Sequence, residues 1–197
     1  YHSLQGNVYR GVLRRQRVKE AAQAVMVAYA RSSDLDQLAA NYNVARLTVT
    51  EADTTAIPPV SAVMESDDDL RLRIPEAFEG LSVAGPTAAY EFHARSADGR
   101  VADVSATSPA PAQVLITVLS RNGNGAAPAD LLNVVEAALN DETIRPLADR
   151  LTVQAAEIIT YTVNATLFFY PGPEAEPILA AAKTQLQNYI ASVKRLG

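Results

Sequence analysis

The two histidines, His2 and His93, are the first side chains to consider, because imidazole is a common acid–base group and metal ligand. His2 lies next to the chain terminus, where fraying is expected. His93 follows Glu91 in a predicted helix, and a metal site on a helix needs ligands three or four residues apart. Glu91 and His93 are two residues apart and face different directions. The spacing therefore predicts a capped or surface histidine, rather than a metal ligand or a general base.

Two short stretches have compositions that could bind ions. Asp67–Asp69 offers three carboxylates, but calcium loops alternate ligands with spacers and need a glycine turn, so the start of a helix is the favoured interpretation. Asn122–Gly125 precedes a predicted helix, yet it lacks the Gly-Lys-Ser/Thr ending of a phosphate loop, and Asn-Gly pairs readily form turns. Both stretches predict local structure rather than a ligand site.

The composition argues against several classes of function. The chain has no cysteine, which removes thiol nucleophiles, zinc–thiolate sites and a disulfide framework and suits folding in the cytosol. A net charge of −5 argues against wholesale binding to nucleic acid phosphates. No apolar run approaches the roughly 20 residues of a membrane helix. No serine–histidine–acid set, glycosidase-type pair or dinucleotide fingerprint stands out, so we expect neither an enzyme nor a bound cofactor.

The first 45 residues predict a helical hairpin. Small or apolar side chains recur near the 3.6-residue period over residues 8–30, and Ser33 or Asp34 caps a second helix. Such a hairpin buries too little apolar surface to be stable alone, so it should lean on another surface. The basic segment Arg10–Lys19 in the first helix is either solvated surface or a docking surface, since arginine suits ion pairs at interfaces.

Residues 46–66 are the best candidate linker. Ile57–Val60 contains two adjacent prolines, which restrict this stretch to an extended conformation. A middle segment, residues 67–112, should follow. Its first helix opens at Asp67 and ends near Gly80, shortened or kinked by Pro75, and a second helix runs from Pro86 to about Arg95.

The last segment, residues 113–197, predicts a mixed sheet with two helices. Strands are expected over Val101–Thr107, Val114–Ser120, Leu151–Ala155 and Ile158–Tyr170, and helices from Pro128 and over Glu174–Leu196. From Val114 the order is β-α-β-β-α, a ferredoxin-like unit lacking its last strand. Either the strand at Val101 takes that place or the chain stops before it. We favour the second, which predicts an exposed sheet edge. The predicted fold class is α+β.

Several blocks of sequence carry a likeness to one protein family. The main ones are EGLSVAGP (Glu79–Pro86), AYEFHARSADGRVADVSATSPAP (Ala89–Pro111) and VLITVLSRNGNG (Val114–Gly125). Others are AAQAVMVAYARSSDLDQLAANYNVARL (Ala21–Leu47), ALNDETIRPLADRLTVQAAEI (Ala138–Ile158) and YPGPEAEP (Tyr170–Pro177). Together they resemble the baseplate J-like proteins of contractile phage tails and related injection systems. Because similar proteins extend past both ends of this chain, we expect it to be a fragment of a longer one.

The resemblance implies a structural subunit of the baseplate wedge. Such a subunit is made in the host bacterial cytoplasm and resides in the virion tail baseplate. The implied partners are a second copy of the chain, other wedge proteins and a sheath-initiator type protein around the central hub, without nucleic acid, membrane or small-molecule substrate. No catalytic, metal or cofactor residues carry over from this family. The predicted interface residues are Arg14, Arg15, Val18, Val25, Tyr29, Leu35 and Leu38.

Two other functions stay open. A non-catalytic adaptor could bind a peptide or a sugar through a free sheet edge, but the aromatic content of 6% with no tryptophan is poor for carbohydrate recognition. A hydrolase or transferase with an unrecognised site is the weakest alternative, because the chain offers two histidines and no cysteine.

Overall fold

The computed structural model describes residues 2–82, 84–168 and 175–196 of the chain, and these form six α-helices and two small sheets. The helices are α1 (His2–Ala24), α2 (Ser32–Ala40), α3 (Asp67–Glu76), α4 (Thr87–Ala97), α5 (Ala129–Leu139) and α6 (Ala175–Val193). The strands are β1 (Thr48–Thr50), β2 (Val63–Met64), β3 (Val101–Thr107), β4 (Gln113–Ser120) and β5 (Arg150–Ala155). The predicted α+β class is confirmed.

The larger sheet has the strand order β3-β4-β5. β3 and β4 pair antiparallel, whereas β4 and β5 pair parallel and are connected through α5. The expected succession of strand, helix, strand and final helix is therefore present as β4, α5, β5 and α6. The strand at Val101 joins this sheet beside β4, the first of the two alternatives raised by the sequence.

One face of this sheet is covered by α4 and α5. Apolar side chains from the strands interlock there with those of both helices, and the buried set includes Tyr90, Ala94, Ile116, Val118, Leu131, Val135 and Leu139. Along α5 the buried residues recur every three or four positions, which is the spacing of one helix face. This core holds the larger sheet in place.

The strand expected over Ile158–Tyr170 does not form within residues 158–168, which have no regular secondary structure. Phe168 is 93% exposed and Ile159 84% exposed. Threonine, valine and aromatic side chains favour strands only when a neighbouring strand supplies hydrogen bonds and packing. Among the described residues no strand pairs with this segment. The remaining two residues of the expected strand lie outside the described residues.

The N-terminal part has a separate cluster of buried side chains. It consists of Ala30, Leu35, Ala39, Val44, Leu70, Ile74 and Ala77 and packs α2 against α3. Helix α3 ends at Glu76, shorter than the stretch expected to reach Gly80, and Pro75 lies in its last turn. A proline there lacks the N–H of a normal helical hydrogen bond, which is consistent with the early end.

Residues 46–66, expected as a linker, carry a small antiparallel ribbon of β1 and β2. The ribbon packs against the turn between α4 and β3, where a Cβ atom on Gly99 would overlap the backbone carbonyl of Thr48. Glycine at this position therefore lets the ribbon approach the larger sheet closely. The division of the chain into four segments stays a prediction.

Candidate interaction surfaces

The described side chains of α1 are almost all exposed to solvent. Among the residues predicted to contact a partner, Arg14, Arg15 and Val18 lie on this helix, and Val18 has 70% of its surface accessible. Val25 and Tyr29 follow in the turn after α1 and are exposed as well. Their role in binding stays a prediction. The α1 surface, as defined here, comprises Val8, Val12, Arg14, Arg15, Val18, Val25 and Tyr29.

The two leucines of α2 in the predicted interface occupy a different environment. Leu35 is fully buried in the N-terminal cluster, and Leu38 packs partly buried against it. Both side chains therefore hold α2 on its own chain, and we leave them out of the α1 surface. The apolar face of α2 could be predicted from the sequence. The spacing of its apolar residues does not show whether α3 or another subunit covers that face.

Arg71 holds the turn that follows α1. Its Nε donates to the carbonyl oxygen of Val27 at 2.9 Å, and its Nη2 donates to that of Ala30 at 2.9 Å. Nη1 binds the Asp68 carboxylate at 2.6 Å. Since Ala30 is itself buried, these contacts fasten the base of α1 to α3 while the helix stays uncovered.

Arg46 connects three further parts of the chain. Its guanidinium binds Asp36 of α2 at 2.7 Å, Asp67 of α3 at 2.7 Å and the carbonyl oxygen of Glu65 at 2.6 Å. Burial alone would lower the pKa of Arg46, but the hydrogen bonds to Asp36 and Asp67 outweigh it and raise that pKa. The arginine thus stays charged and fixes α2 against the start of α3.

The most buried ion pair of the described chain joins Arg73 and Glu65, whose side chains are 3% and 2% exposed. Nε and Nη2 of Arg73 each donate to a Glu65 oxygen at 2.7 Å. The same guanidinium binds the carbonyl oxygen of Ala45 and the hydroxyl of Ser96. Because Ser96 belongs to α4, this network ties the N-terminal cluster to the helices that cover the larger sheet.

Asp67 links the first turn of α3 to the first residue of α2. Its Oδ2 accepts a hydrogen bond from the Ser32 N–H at 3.1 Å, and its Oδ1 accepts one from Arg46 Nη2 at 2.7 Å. The backbone hydrogen bond, followed by the bond to Arg46, holds the pKa of Asp67 below its ordinary value. The acidic start of α3 therefore has structural partners.

We predict that Asp67→Asn destabilises the chain at neutral pH and that the effect shrinks in acid. A carboxyl group whose pKa is lower in the folded chain adds stability above its unfolded pKa of about 3.9, and that stability is lost as the pH falls through the folded pKa. Denaturant unfolding at about pH 7 and about pH 3 measures the difference. Asp34→Asn, an exposed aspartate of α2, is the control. A loss from Asp67→Asn that is equal at both pH values would contradict the assignment.

The outer edge of β5 is a second candidate surface. Within the described residues β5 pairs only with β4, and its side chains alternate between exposed and half-buried. Nearby, α6 and residues 156–163 border an open groove of about 790 Å³ whose lining is largely apolar. Leu186 and Ile190 of α6 and Ile158 line this groove. An unpaired strand edge with apolar side chains beside it is the type of surface that pairs with another chain.

His93 and Glu91 of α4 both have structural partners. His93 is half-buried, and its Nε2 lies 3.1 Å from the carbonyl oxygen of Gly80. Glu91 accepts the Ala106 N–H at 3.1 Å. In residues 2–82, 84–168 and 175–196 no group of three or more histidine, aspartate and glutamate side chains is placed to hold a metal ion. None of the helices in this part of the chain is long and apolar enough to cross a bilayer.

The sequence did not predict the contacts that arginine side chains make in the N-terminal cluster. Arg71 and Arg73 alternate with leucine in the sequence LRLR, which gives no indication that both guanidinium groups point into the fold. The available signal was their position on α3 next to apolar Leu70 and Ile74, since a charge beside a buried face needs a partner. The sequence alone could not identify Glu65 as that partner.

Comparison with known proteins identifies the family. The Baseplate J-like N-terminal domain matches residues 1–53, and the Baseplate J-like central domain matches residues 82–155, which contain α4 through β5. The chain is also similar to the Baseplate protein J of Escherichia phage P2, with 62% identity over 194 residues, or 98% of this chain. The chain belongs to the baseplate J-like family. It spans 64% of the length of the phage P2 protein.

Proposed function

We propose that the chain is a structural subunit of the baseplate wedge in a contractile phage tail or a phage-like injection machine. The observation that carries this proposal is the 62% identity to a baseplate protein over nearly the whole chain. At that identity the fold and the surfaces used in assembly are expected to be shared. The proposed place of the chain is the baseplate of the virion tail, and its proposed role is assembly without catalysis.

Two exposed surfaces support an assembly role. The α1 surface is attached to the body through Arg71 and the turn after the helix, and almost all the described side chains of α1 are exposed. The outer edge of β5 and the adjoining groove present backbone groups and apolar side chains. We propose that α1 joins neighbouring wedge proteins, including a sheath-initiator type protein, and that the sheet region pairs with a second copy of the chain.

A second candidate function is a non-catalytic adaptor, and the unpaired edge of β5 is the observation that favours it. A peptide could add a strand along this edge, because extended segments pair readily with open sheet edges. The adaptor would bind its peptide in the absence of any tail structure. The baseplate proposal requires that the chain be found in assembled tails, which separates the two functions.

Immunogold labelling of purified tails tests the proposed location. A short epitope fused to the protein that contains this chain should label one end of the tail, at the baseplate, in intact particles. The same epitope on a major tail protein provides the control for access of the antibody. Gold along the whole tail, or an absence of gold from tails while the tagged protein is present in the lysate, would contradict the baseplate role.

A further inference from the structure

Helix α1 has a charge opposite in sign to that of the rest of the chain. It contains five cations, Arg10, Arg14, Arg15, Arg17 and Lys19, and one carboxylate, Glu20, for a net charge of +4. Since the full chain carries −5, the remaining residues carry −9. A concentration of positive charge on one projecting helix points to a partner of opposite charge.

The cations of α1 have no partners in the described part of the chain. None of them takes part in an ion pair with the body, and their side chains are exposed. Glu20 accepts a hydrogen bond from Gln16 at 2.8 Å rather than from an arginine. Within the described residues the positive charge is thus not used to fasten α1 to the body, and it is available to another surface.

The apolar side chains of α1 form a stripe that contains two of the cations. At 3.6 residues per turn, Val8, Val12, Val18 and Ala22 fall within a sector of about 120°, together with Arg15 and Lys19. Arg14 lies about 40° beyond the Val18 edge of the stripe, whereas Arg10, Arg17 and Glu20 lie toward the opposite face. A partner that covers the valines must therefore bring carboxylates close to Arg15 and Lys19.

This arrangement disfavours two other occupants. A second α1 would bring five cations against five in either orientation, with one carboxylate on each side, and like charges across a helix pair are destabilising. An anionic membrane favours a broad face of bulky side chains such as leucine, phenylalanine and tryptophan. Among the described side chains of α1 the apolar members of the stripe are valine and alanine, cations interrupt it, and the exposed Tyr9 and Leu13 lie on another face.

We propose that α1 docks on an acidic amphipathic helix of another protein, whose carboxylates face Arg14, Arg15 and Lys19. This inference rests on the proposed assembly function and adds the chemistry of the partner. Apolar contacts with Val8, Val12 and Val18 bury the stripe, and the ion pairs set its orientation and select the partner. Pairing with a second copy then uses a surface other than α1.

Two synthetic peptides test the charge of the partner against the full 197-residue chain. Both have a leucine seam over about four heptads, and they differ only in glutamate or lysine at the flanking positions. The acidic peptide should bind and the basic peptide should not. The double variant Arg15→Gln/Lys19→Gln should weaken binding of the acidic peptide by about tenfold or more, since each ion pair contributes to selection. Glu20→Gln, on the opposite face, should leave binding unchanged or tighten it.

Other results would overturn the inference. Equal binding of both peptides, or no effect of the double variant, would remove charge as the basis of recognition. A dimer in sedimentation that is lost on Val18→Asp would assign α1 to a second copy. Binding to phosphatidylserine vesicles with no binding to the acidic peptide would assign it to a membrane. If the acidic peptide fails to bind while tails still require the gene, only the partner chemistry is wrong and the baseplate role stands.

Discussion

Replacing Glu65 with glutamine should lower the free energy of unfolding by about 3–5 kcal/mol, because it leaves the guanidinium of Arg73 buried without a counter-charge. Both oxygens of Glu65 accept hydrogen bonds from Arg73, and Oε2 also accepts one from the Leu47 N–H at 3.2 Å. An amide presents a donor where one of these acceptors stood. Denaturant unfolding followed by circular dichroism measures the loss.

Asp68→Asn is the matched control, since it makes the same acid-to-amide change in an ion pair at the surface. The Asp68 side chain is 93% exposed, and an exposed pair contributes about 0–1 kcal/mol. The double variant Glu65→Leu/Arg73→Met should be less destabilised than the sum of its single changes, because it removes both buried charges together. A loss below about 1 kcal/mol for Glu65→Gln would show that this pair does not hold the two parts of the fold together.

Reversing two charges of the α1 surface should stop wedge assembly without unfolding the subunit. We expect Arg14→Glu/Arg15→Glu to lower the yield of complete tails by about tenfold or more, because each repulsive contact at an interface opposes binding by roughly 1.4 kcal/mol or more. The free energy of unfolding of the purified chain should change by no more than about 0.5 kcal/mol, as both side chains are exposed. Counting particles by electron microscopy measures assembly.

The conservative variant Arg14→Lys/Arg15→Lys provides the control for this experiment. Lysine keeps both positive charges but loses the planar fork of guanidinium, so most of the tail yield should remain. A normal yield of contracting tails from the charge-reversed variant would remove both arginines from the interface. A low yield together with a large loss of stability would instead mean that α1 supports the fold of its own chain.

The local elements of the larger sheet could be predicted from the sequence. β3 has the predicted bounds, β4 and β5 each begin one residue earlier than expected, and α5 begins directly after Pro128. In these segments proline and glycine mark the ends and the apolar period marks the buried face. These signals are local, because each lies within or next to the element that it marks.

The structure differs from the sequence-based predictions where the conformation or burial of a residue depends on a distant part of the chain. Residues 158–168 have the composition of a strand but no partner strand in the described structure. The position of Leu35 in the apolar face of α2 fits either an interface residue or a core residue. In the structure the side chain is buried in the cluster between α2 and α3. The hydrogen bonds of Arg73 to Glu65 and Ser96 bring together three separate parts of the chain. The spacing of residues in the sequence does not predict such a contact.

The predicted interface residues stay a prediction, and the structure describes only the surfaces on which most of them lie. The basic and apolar character of α1 is visible in the sequence, and the structure adds that its side chains remain exposed. An exposed sheet edge was predicted from a missing last strand; within the described residues β3 pairs with β4, and the open edge is the outer edge of β5. Within the described residues nothing covers either surface, so its chemistry can be predicted from the sequence but its occupant cannot.

Electron microscopy of lysates from the source, with the gene for this chain intact, deleted and restored, tests the baseplate role most directly. We expect deletion to yield no complete contractile tails and restoration of the gene to return them. The restored gene should carry the wild-type sequence in one strain and Arg14→Glu/Arg15→Glu in another. Intact, contracting tails in the deletion strain would contradict the baseplate role and favour the adaptor.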